Sequence, residues 1–378
     1  MLESMVDKNI NQVIFLSDVH FGVRNGSLEW LDNMKNYFYH FFIPYLVDTK
    51  CSGNNPCVII AGDYFDNRQY VDINVLNVAT DVMRNIVDHC DVYMMIGNHD
   101  IYKKSGNDIT SLKPFTYIDN LHVVEDQLSL EISGGIKFLL TSWVGDFKKE
   151  NKIITDNKDS YNYLVFHTEL SGMTYDNGRP IIDGINLDVV DDTCKILSGH
   201  IHKRQESKKG LYLGSPYQLT RSDIGNEKGL YVFTVDGSNI KKDFISNTYS
   251  PQFKAVKFKD VGRNPDDWKD IVKNSYIDII FSDDELSIVN VNKFLDELQK
   301  FSPKHIEVKV DRTKVDINST AIEVNNDGEV VDLNVKPDAT IEEIFETKLA
   351  AFKLKKKDEK AVNKLNVEYL KRAAEDLA

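Results

Sequence analysis

At 378 residues and 42% hydrophobic content, the chain is long enough for two to three domains of about 100–200 residues and for a sizeable core. Its net charge of −13 excludes a protein that coats nucleic acid by bulk electrostatics, which would carry a basic face. No stretch approaches the ~20 apolar residues of a membrane span, residues 1–11 lack a secretory apolar core, and Cys51, Cys57, Cys90 and Cys194 form no paired framework. A cytoplasmic chain with reduced thiols and no membrane association is therefore expected.

Val13–Leu16 is a short continuous apolar run of the kind found in strands buried on both faces, and it ends at Asp18-Val19-His20. Leu28–Leu46, with Trp30, Phe38, Tyr39, Phe41 and Phe42, reads as a helix. Val58–Ala61 is a second buried strand and leads into Gly62-Asp63-Tyr64-Phe65-Asp66; Val71–Val87 is a second helix. Tyr93–Ile96 precedes Gly97-Asn98-His99-Asp100, Tyr163–Phe166 precedes His167-Thr168-Glu169, and Lys195–Leu197 precedes Gly199-His200-Ile201-His202. Thr234–Asn239 reads as a hairpin turn that closes this part of the chain.

Beyond it the pattern changes. Ala255–Lys259, Ile277–Phe281 and His305–Val310 read as strands and Val291–Phe301 as an amphipathic helix, together a small α+β domain. Asn318–Pro337, rich in Asn, Asp and Val, reads as a linker with room for short strands. Thr340-Ile341-Glu342-Glu343 is a capping box, followed by apolar positions Ile341, Ile344, Phe345, Leu349 and Phe352 at helical spacing; Val362, Leu365, Tyr369, Leu370, Ala373 and Leu377 form a second stripe. The domain boundaries expected are 1–250, 251–315, a linker at 316–338, and a helical segment at 339–378.

Parallel strands end in loops at one edge of their sheet, where open α/β folds place ligands, so the five motifs are expected to converge. Asp18, His20, Asp63, Asn98, His167, His200 and His202 combine carboxylate, imidazole and carboxamide without thiolate, a mixture suited to manganese, iron or zinc. Seven donors are too many for one catalytic ion with an open position, and two ions sharing a carboxylate fit them. Such a pair activates water and neutralises a phosphoryl centre, so phosphate ester hydrolysis is the expected reaction. Taken singly, an Asp-x-His or His-x-His is more often a turn or a satisfied polar pair; it is the joint occurrence after separate strands that carries the reading. His40, His89, His122 and His305 lie outside these motifs and read as structural or surface residues.

The motif series resembles the calcineurin-like metallophosphoesterase superfamily, a sandwich of two mixed β-sheets flanked by helices. Leu197–His202 followed by Tyr212-Leu213-Gly214-Ser215-Pro216-Tyr217-Gln218-Leu219 is similar to the DNA double-strand-break repair nucleases of the SbcD and meiotic recombination eleven types. Phe166–Gly172 and Lys228–Phe233 resemble the T-even-like phage branch, and the resemblance fades beyond about residue 250.

That resemblance implies two Mn²⁺ ions, other divalent ions being alternatives: one held by Asp18, His20, Asp63 and His202, the other by Asp63, Asn98, His167 and His200. It implies that water attacks the phosphodiester phosphorus in line and that His99 stabilises the transition state or protonates the leaving 3′ oxygen as general acid, with Asp100 orienting His99 or capping its turn. Asp66 stands where many cellular members have histidine, and its expected role is a hydrogen bond behind the site. The resemblance further implies 3′–5′ exonuclease action on duplex ends and endonuclease action on single-stranded or hairpin DNA. The small domain would then cap the site and the C-terminal helices would grip an SMC-like ATPase of the SbcC or Rad-fifty type. A homodimer through Leu28–Leu46 and Val71–Val87 is expected, in a bacterial or virus-infected host cytoplasm. The competing readings are a phosphomonoesterase or cyclic-nucleotide phosphodiesterase, and a non-catalytic scaffold. Basic stretches at Lys203-Arg204 with Lys208-Lys209, at Lys148-Lys149 with Lys152, and at Lys353–Lys357 are the candidate phosphate contacts.

Overall fold

The computed structural model describes residues 3–103, 106–191, 193–311, 321–324 and 330–333. In chain order the strands are β1 (Glu3–Asp7), β2 (Gln12–Leu16), β3 (Pro56–Ala61), β4 (Val92–Met95), β5 (Ile101–Lys103), β6 (Gly106–Thr110), β7 (Leu121–Val124), β8 (Gln127–Ile132), β9 (Lys137–Thr141) and β10 (Tyr163–His167). They continue with β11 (Lys195–Gly199), β12 (Gln205–Glu206), β13 (Gly210–Tyr212), β14 (Gly229–Asp236), β15 (Asn239–Ser246), β16 (Gln252–Lys257), β17 (Ser275–Phe281), β18 (His305–Val310), β19 (Ala321–Val324) and β20 (Val330–Leu333).

Two mixed sheets dominate, one ordered β1-β8-β9-β10-β11-β13-β12 and the other β15-β14-β2-β3-β4-β7. Alternation of side chains along each strand separates two apolar faces. Val13, Phe15, Ile59, Tyr93 and Met95 from one sheet meet Leu128, Leu130, Phe138, Leu140, Val165, Leu197 and Leu211 from the other. The opposite residues Ile14, Leu16, Val58, Ile60 and Met94 pack against the helices Leu28–Tyr37, Ile43–Cys51 and Ile73–Val87 through Met34, Tyr37, Leu46, Val82, Met83 and Ile86. On the far side of the second sheet, Leu139, Leu164, Phe166 and Ile196 are covered by Ile154 and by Leu170, Ile181 and Ile185 of a long loop. With both faces covered, β2 and β3 are buried along their whole lengths, which is why they read as unbroken apolar runs. This is the expected sandwich of two mixed sheets flanked by helices.

The helix expected over Leu28–Leu46 is interrupted by a π-helical turn at Phe38–Phe42. Pro44 follows, and its missing N–H breaks the regular i→i−4 ladder there. The apolar faces of this region and of Ile73–Val87 cover the sheet, while Leu28, Tyr70 and Ile73 remain exposed.

A third sheet, β16-β17-β18, has its own core of Phe258, Trp268, Val272, Ile277, Ile279, Phe281, Phe294 and Leu298. The strand expected at Ala255–Lys259 stops at Lys257, because Phe258 turns inward onto Phe281 and starts a short helix that ends at Gly262. This layer leans on the larger sheets through the stacked rings of Trp30, Phe253 and Tyr276. Arg221 adds an ion pair to Asp278 at 3.0 Å. Within the expected linker, β19 and β20 form an antiparallel hairpin. The C-terminal helices expected at 339–378, with Lys353–Lys357, lie outside the described residues. Among the described residues no helix is long and apolar enough to cross a membrane, and the four cysteines are unpaired.

Candidate metal centre

Parallel register aligns the ends of the motif-bearing strands. Leu16 lies beside Ile60 and Ile60 beside Met94, so the loops after β2, β3 and β4 leave one edge together. In the other sheet His167 lies beside Gly199. The loops are then laced by main-chain hydrogen bonds from Asp18 N to Gly62 O (3.1 Å), His20 N to Asp63 O (3.0 Å) and Phe21 N to Tyr64 O (2.8 Å).

Asp18, His20 and Asp63 each have φ 53°, and His200 has φ 81°. An ordinary side chain held in this left-handed region costs roughly 1–2 kcal/mol, so the backbone here is bent at the expense of stability to aim these groups inward. Close approach demands glycine beside them. A Cβ on Gly97 would fall on the Asp63 main chain and carboxylate, and one on Gly62 would fall on the His167 ring.

The seven predicted donors are brought together. Asp18, His20 and His202 form one cluster and Asp63, His167 and His200 another, each with ligand-type atoms within 4.8 Å of one another. His20 Nε2 lies 3.1 Å from His202 Nε2 and 3.7 Å from Asp63 Oδ2. His167 Nε2 lies 3.2 Å from Asp63 Oδ2 and 3.1 Å from Asn98 Oδ1, whose oxygen is 2.8 Å from His200 Nδ1. Asp63 thus faces both groups.

The ring orientations test whether a cation fits. His167 Nδ1 is 2.7 Å from the Ala61 carbonyl oxygen, which only accepts, so Nδ1 carries the proton. The neutral ring then turns the Nε2 lone pair toward two acceptor oxygens, those of Asp63 and Asn98. Only a bound positive charge relieves that arrangement, whether a second proton or a cation, and the donor set fits a divalent ion.

Electrostatics agree. Burial alone would lower the His167 imidazolium, yet Asp63, helped by Asp18 and the Ala61 carbonyl, pushes it up to about 10. Burial would raise Asp63, but His167, His20 and His99 hold it well below the usual carboxylate range. His20 is also raised, with burial opposed by Asp66, Asp63 and Asp18, whereas burial and the neighbouring His20 and Lys228 drive His202 well below its ordinary value. The pocket is a sink for positive charge that keeps one imidazole neutral.

His99 sits at the rim, its ring edge-on to His20 with centroids 5.0 Å apart. Its N–H donates to Asp63 Oδ1 (2.8 Å) and its Nδ1 to the Asp66 carbonyl oxygen (2.6 Å), which leaves Nε2 as the working nitrogen. The Asp66 carboxylate is 3.3 Å from His20 Nδ1, behind the centre. Asp100 is fully buried and acts on backbone rather than on the His99 ring: its carboxylate accepts N–H groups from Gly97 (2.9 Å), Phe65 (3.0 Å) and Tyr64 (3.3 Å), stapling two motif loops together.

Some participants had no assigned role in the sequence. Glu169 Oε1 is 3.3 Å from His200 Nε2, and Ser17 Oγ donates to Asp18 (2.6 Å). The buried Lys228 reaches the His202 carbonyl oxygen (2.6 Å). Glu169 ends the motif His167-Thr168-Glu169 and Lys228 begins the segment Lys228–Phe233, but nothing in their spacing points at a histidine. Of the other histidines, His122 stacks on Tyr93 and His40 lies against Tyr249. Much of the basic charge is spoken for: Arg204 pairs with Glu227 (2.6 Å) and covers the Phe244 ring, and Lys152 pairs with Asp156 on the helix Phe147–Asn157.

Comparison with known proteins agrees with the architecture. The family model described as calcineurin-like phosphoesterase matches residues 12–204, just over half of the chain, from β2 to two residues past His202, the second histidine of the last motif. The chain is similar to exonuclease subunit 1 of Enterobacteria phage T4, 23% identical over 334 residues, covering 87% of this chain and 94% of the relative. It is also similar to phosphoesterase 078R of Invertebrate iridescent virus 3, 24% identical over 66% of this chain and 71% of that protein. Phosphoesterase 244L of Invertebrate iridescent virus 6 is 26% identical over 55% of this chain and 70% of its own length.

Proposed function

The chain belongs to the calcineurin-like phosphoesterase family, and from that premise we propose that it is the nuclease subunit of a DNA recombination or repair complex, hydrolysing phosphodiester bonds with two Mn²⁺ ions. The observation that carries the reading is the convergence of seven thiolate-free donors with His99 at their rim. Similarity to a phage exonuclease subunit over 87% of the chain supports reading that centre as a nuclease site.

Asp18, His20, His202 and the shared Asp63 would hold one cation; Asp63, Asn98, His167 and His200 would hold the other. Bound there, the cations supply Lewis-acid charge for the phosphoryl oxygens and make water nucleophilic near neutral pH. The chain's own residues do the rest. Asp66 and Ala61 fix the faces that His20 and His167 present, Glu169 does the same for His200, and Asp100 holds the loops in place. His99, with its Nδ1–H committed to the Asp66 carbonyl, presents Nε2, which in the imidazolium form would carry the proton delivered to the departing 3′ oxygen.

The relative's name as a subunit supports a partner, which we propose to be an SMC-like ATPase of the SbcC or Rad-fifty type gripping residues 339–378, with the chain acting as a homodimer on duplex ends and on single-stranded or hairpin DNA.

The test is cleavage of a labelled linear duplex and an unstructured single strand with Mn²⁺, with p-nitrophenyl phosphate as monoester control. His99→Ala is expected to lower DNA cleavage roughly 10²–10⁴-fold, the usual contribution of a positioned acid, while Mn²⁺ binding by calorimetry persists. Monoester turnover without DNA cleavage would replace this reading with a phosphomonoesterase, and cation binding without turnover of either substrate would replace it with a scaffold.

A further inference from the structure

Lys228 is an ammonium buried immediately before β14, only 6% exposed. Burying a charge is costly unless it is paired and hydrogen-bonded. Its Nζ meets three oxygens: Asp223 Oδ1 at 2.6 Å, Ser215 Oγ at 3.0 Å and the His202 main-chain carbonyl at 2.6 Å. Ser215 N also donates to that carbonyl (3.1 Å). The main chain of His202 is therefore gripped from behind by a fixed charge, while its imidazole faces His20 Nε2 at 3.1 Å. Among the described residues no comparable clamp lies behind His167, whose ring is held through its own Nδ1.

The anion that anchors Lys228 belongs to a turn tied to the small α+β layer. Asp223 Oδ2 accepts the N–H groups of Leu219 (2.9 Å) and Thr220 (3.0 Å). Gln218 donates to the Asp223 carbonyl (2.9 Å) and accepts from Phe253 N on β16 (2.5 Å). Two residues before Asp223, Arg221 forks onto Asp278 of β17, with Nε 3.0 Å from both carboxylate oxygens, and also pairs with Glu307 of β18. A polar chain thus runs from Phe253 of the small layer through Gln218, Asp223 and Lys228 to the backbone of a single candidate ligand, and Arg221, two residues along the same turn, fastens that turn to β17 and β18.

We propose that Lys228 is a positioning residue for the half of the cation centre formed by Asp18, His20 and His202, and that it makes the affinity of that half depend on how the small layer is seated. The proposal rests on the two-cation reading above and says which half is adjustable. A plain structural ion pair would, on removal, loosen both halves alike, whereas a clamp on His202 weakens one.

The experiment is Mn²⁺ titration calorimetry on the full chain, comparing wild type with Lys228→Met, Lys228→Arg and Arg221→Met, and with His202→Ala to identify the class of site concerned. Wild type is expected to show two classes. Lys228→Met should weaken the class lost in His202→Ala by roughly 10–100-fold, as removal of a group supporting a metal ligand typically does, and leave the other within about twofold. Lys228→Arg should restore it, and Arg221→Met should weaken the same class by a smaller factor. Unchanged binding in Lys228→Met, or equal weakening of both classes, overturns the clamp; unchanged binding in Arg221→Met overturns the link to the small layer. Should Lys228→Met fail to fold, Ser215→Ala removes one of the three partners and keeps the ion pair, and the same selective weakening is expected or the clamp is overturned. A wild type that binds no Mn²⁺ refutes the two-cation reading itself, which separates the two failures.

Discussion

Glu150 illustrates what a single misplaced charge does to this fold. It is 1% exposed beneath the end of β10, where the Thr168 hydroxyl donates to its Oε2 at 2.9 Å. Burial pushes its carboxyl from 4.5 up to about 7, the Thr168 hydrogen bond offsetting only part of the effect. Between those values the folded state holds a proton that the unfolded chain has released, so stability falls as pH rises from about 4.5 to about 7 and is level above. Glu150→Gln keeps an acceptor for Thr168 and removes the ionisation. Urea denaturation should find the variant close to wild type at pH 5 and more stable by about 2–3 kcal/mol at pH 8. A constant difference across that range would count against a titrating Glu150.

At the level of elements, Ile73–Val87 shows how a polar residue sets a boundary that an apolar pattern only approximates. The stripe Val71 to Val87 suggests a start at Val71, but Asp72 is extended (φ −60°, ψ 142°) and its carboxylate accepts from Asn74 N (2.8 Å) and Val75 N (3.4 Å), making it the cap. Asp72→Ala should cost about 1 kcal/mol in the same denaturation assay and leave cation binding intact, because the helix packs on the sheet face opposite the second sheet. The strands were legible because burial on both faces leaves mostly apolar residues until the chain reaches the sheet edge, so Asp18, Asp63, Asn98, His167 and His200 stand out at the ends of β2, β3, β4, β10 and β11. What stayed hidden had the opposite character. Lys228, Asp223 and Glu169 are single charged residues whose burial and partners are decided by loops meeting from distant parts of the chain, and neither spacing nor composition records such a meeting. The π-helical turn at Phe38–Phe42 was hidden for a local reason, since an aromatic-rich run keeps its apolar stripe whether or not Pro44 widens one turn.

Across the whole molecule, the donors come from both halves of the sandwich: Asp18, His20, Asp63 and Asn98 follow strands of one sheet, and His167, His200 and His202 lie at strand ends of the other. A cation held between them ties the two sheets together at the edge where the left-handed loops and facing acceptors oppose folding. Since the unfolded chain gathers no such set, a bound ion stabilises the native state by mass action, by about 2.7 kcal/mol for each site at a free concentration 100 times its dissociation constant. Thermal unfolding of the wild type should therefore shift upward with the logarithm of added Mn²⁺ and return to the metal-free midpoint with EDTA. Asp63 faces both clusters, so Asp63→Asn should lose most of the shift, whereas His202→Ala should keep the part that belongs to the other cluster. A wild-type midpoint indifferent to Mn²⁺ would mean that the facing acceptors are reconciled by a proton on His167 rather than by a metal, and the centre would have to be read as an acid–base pair.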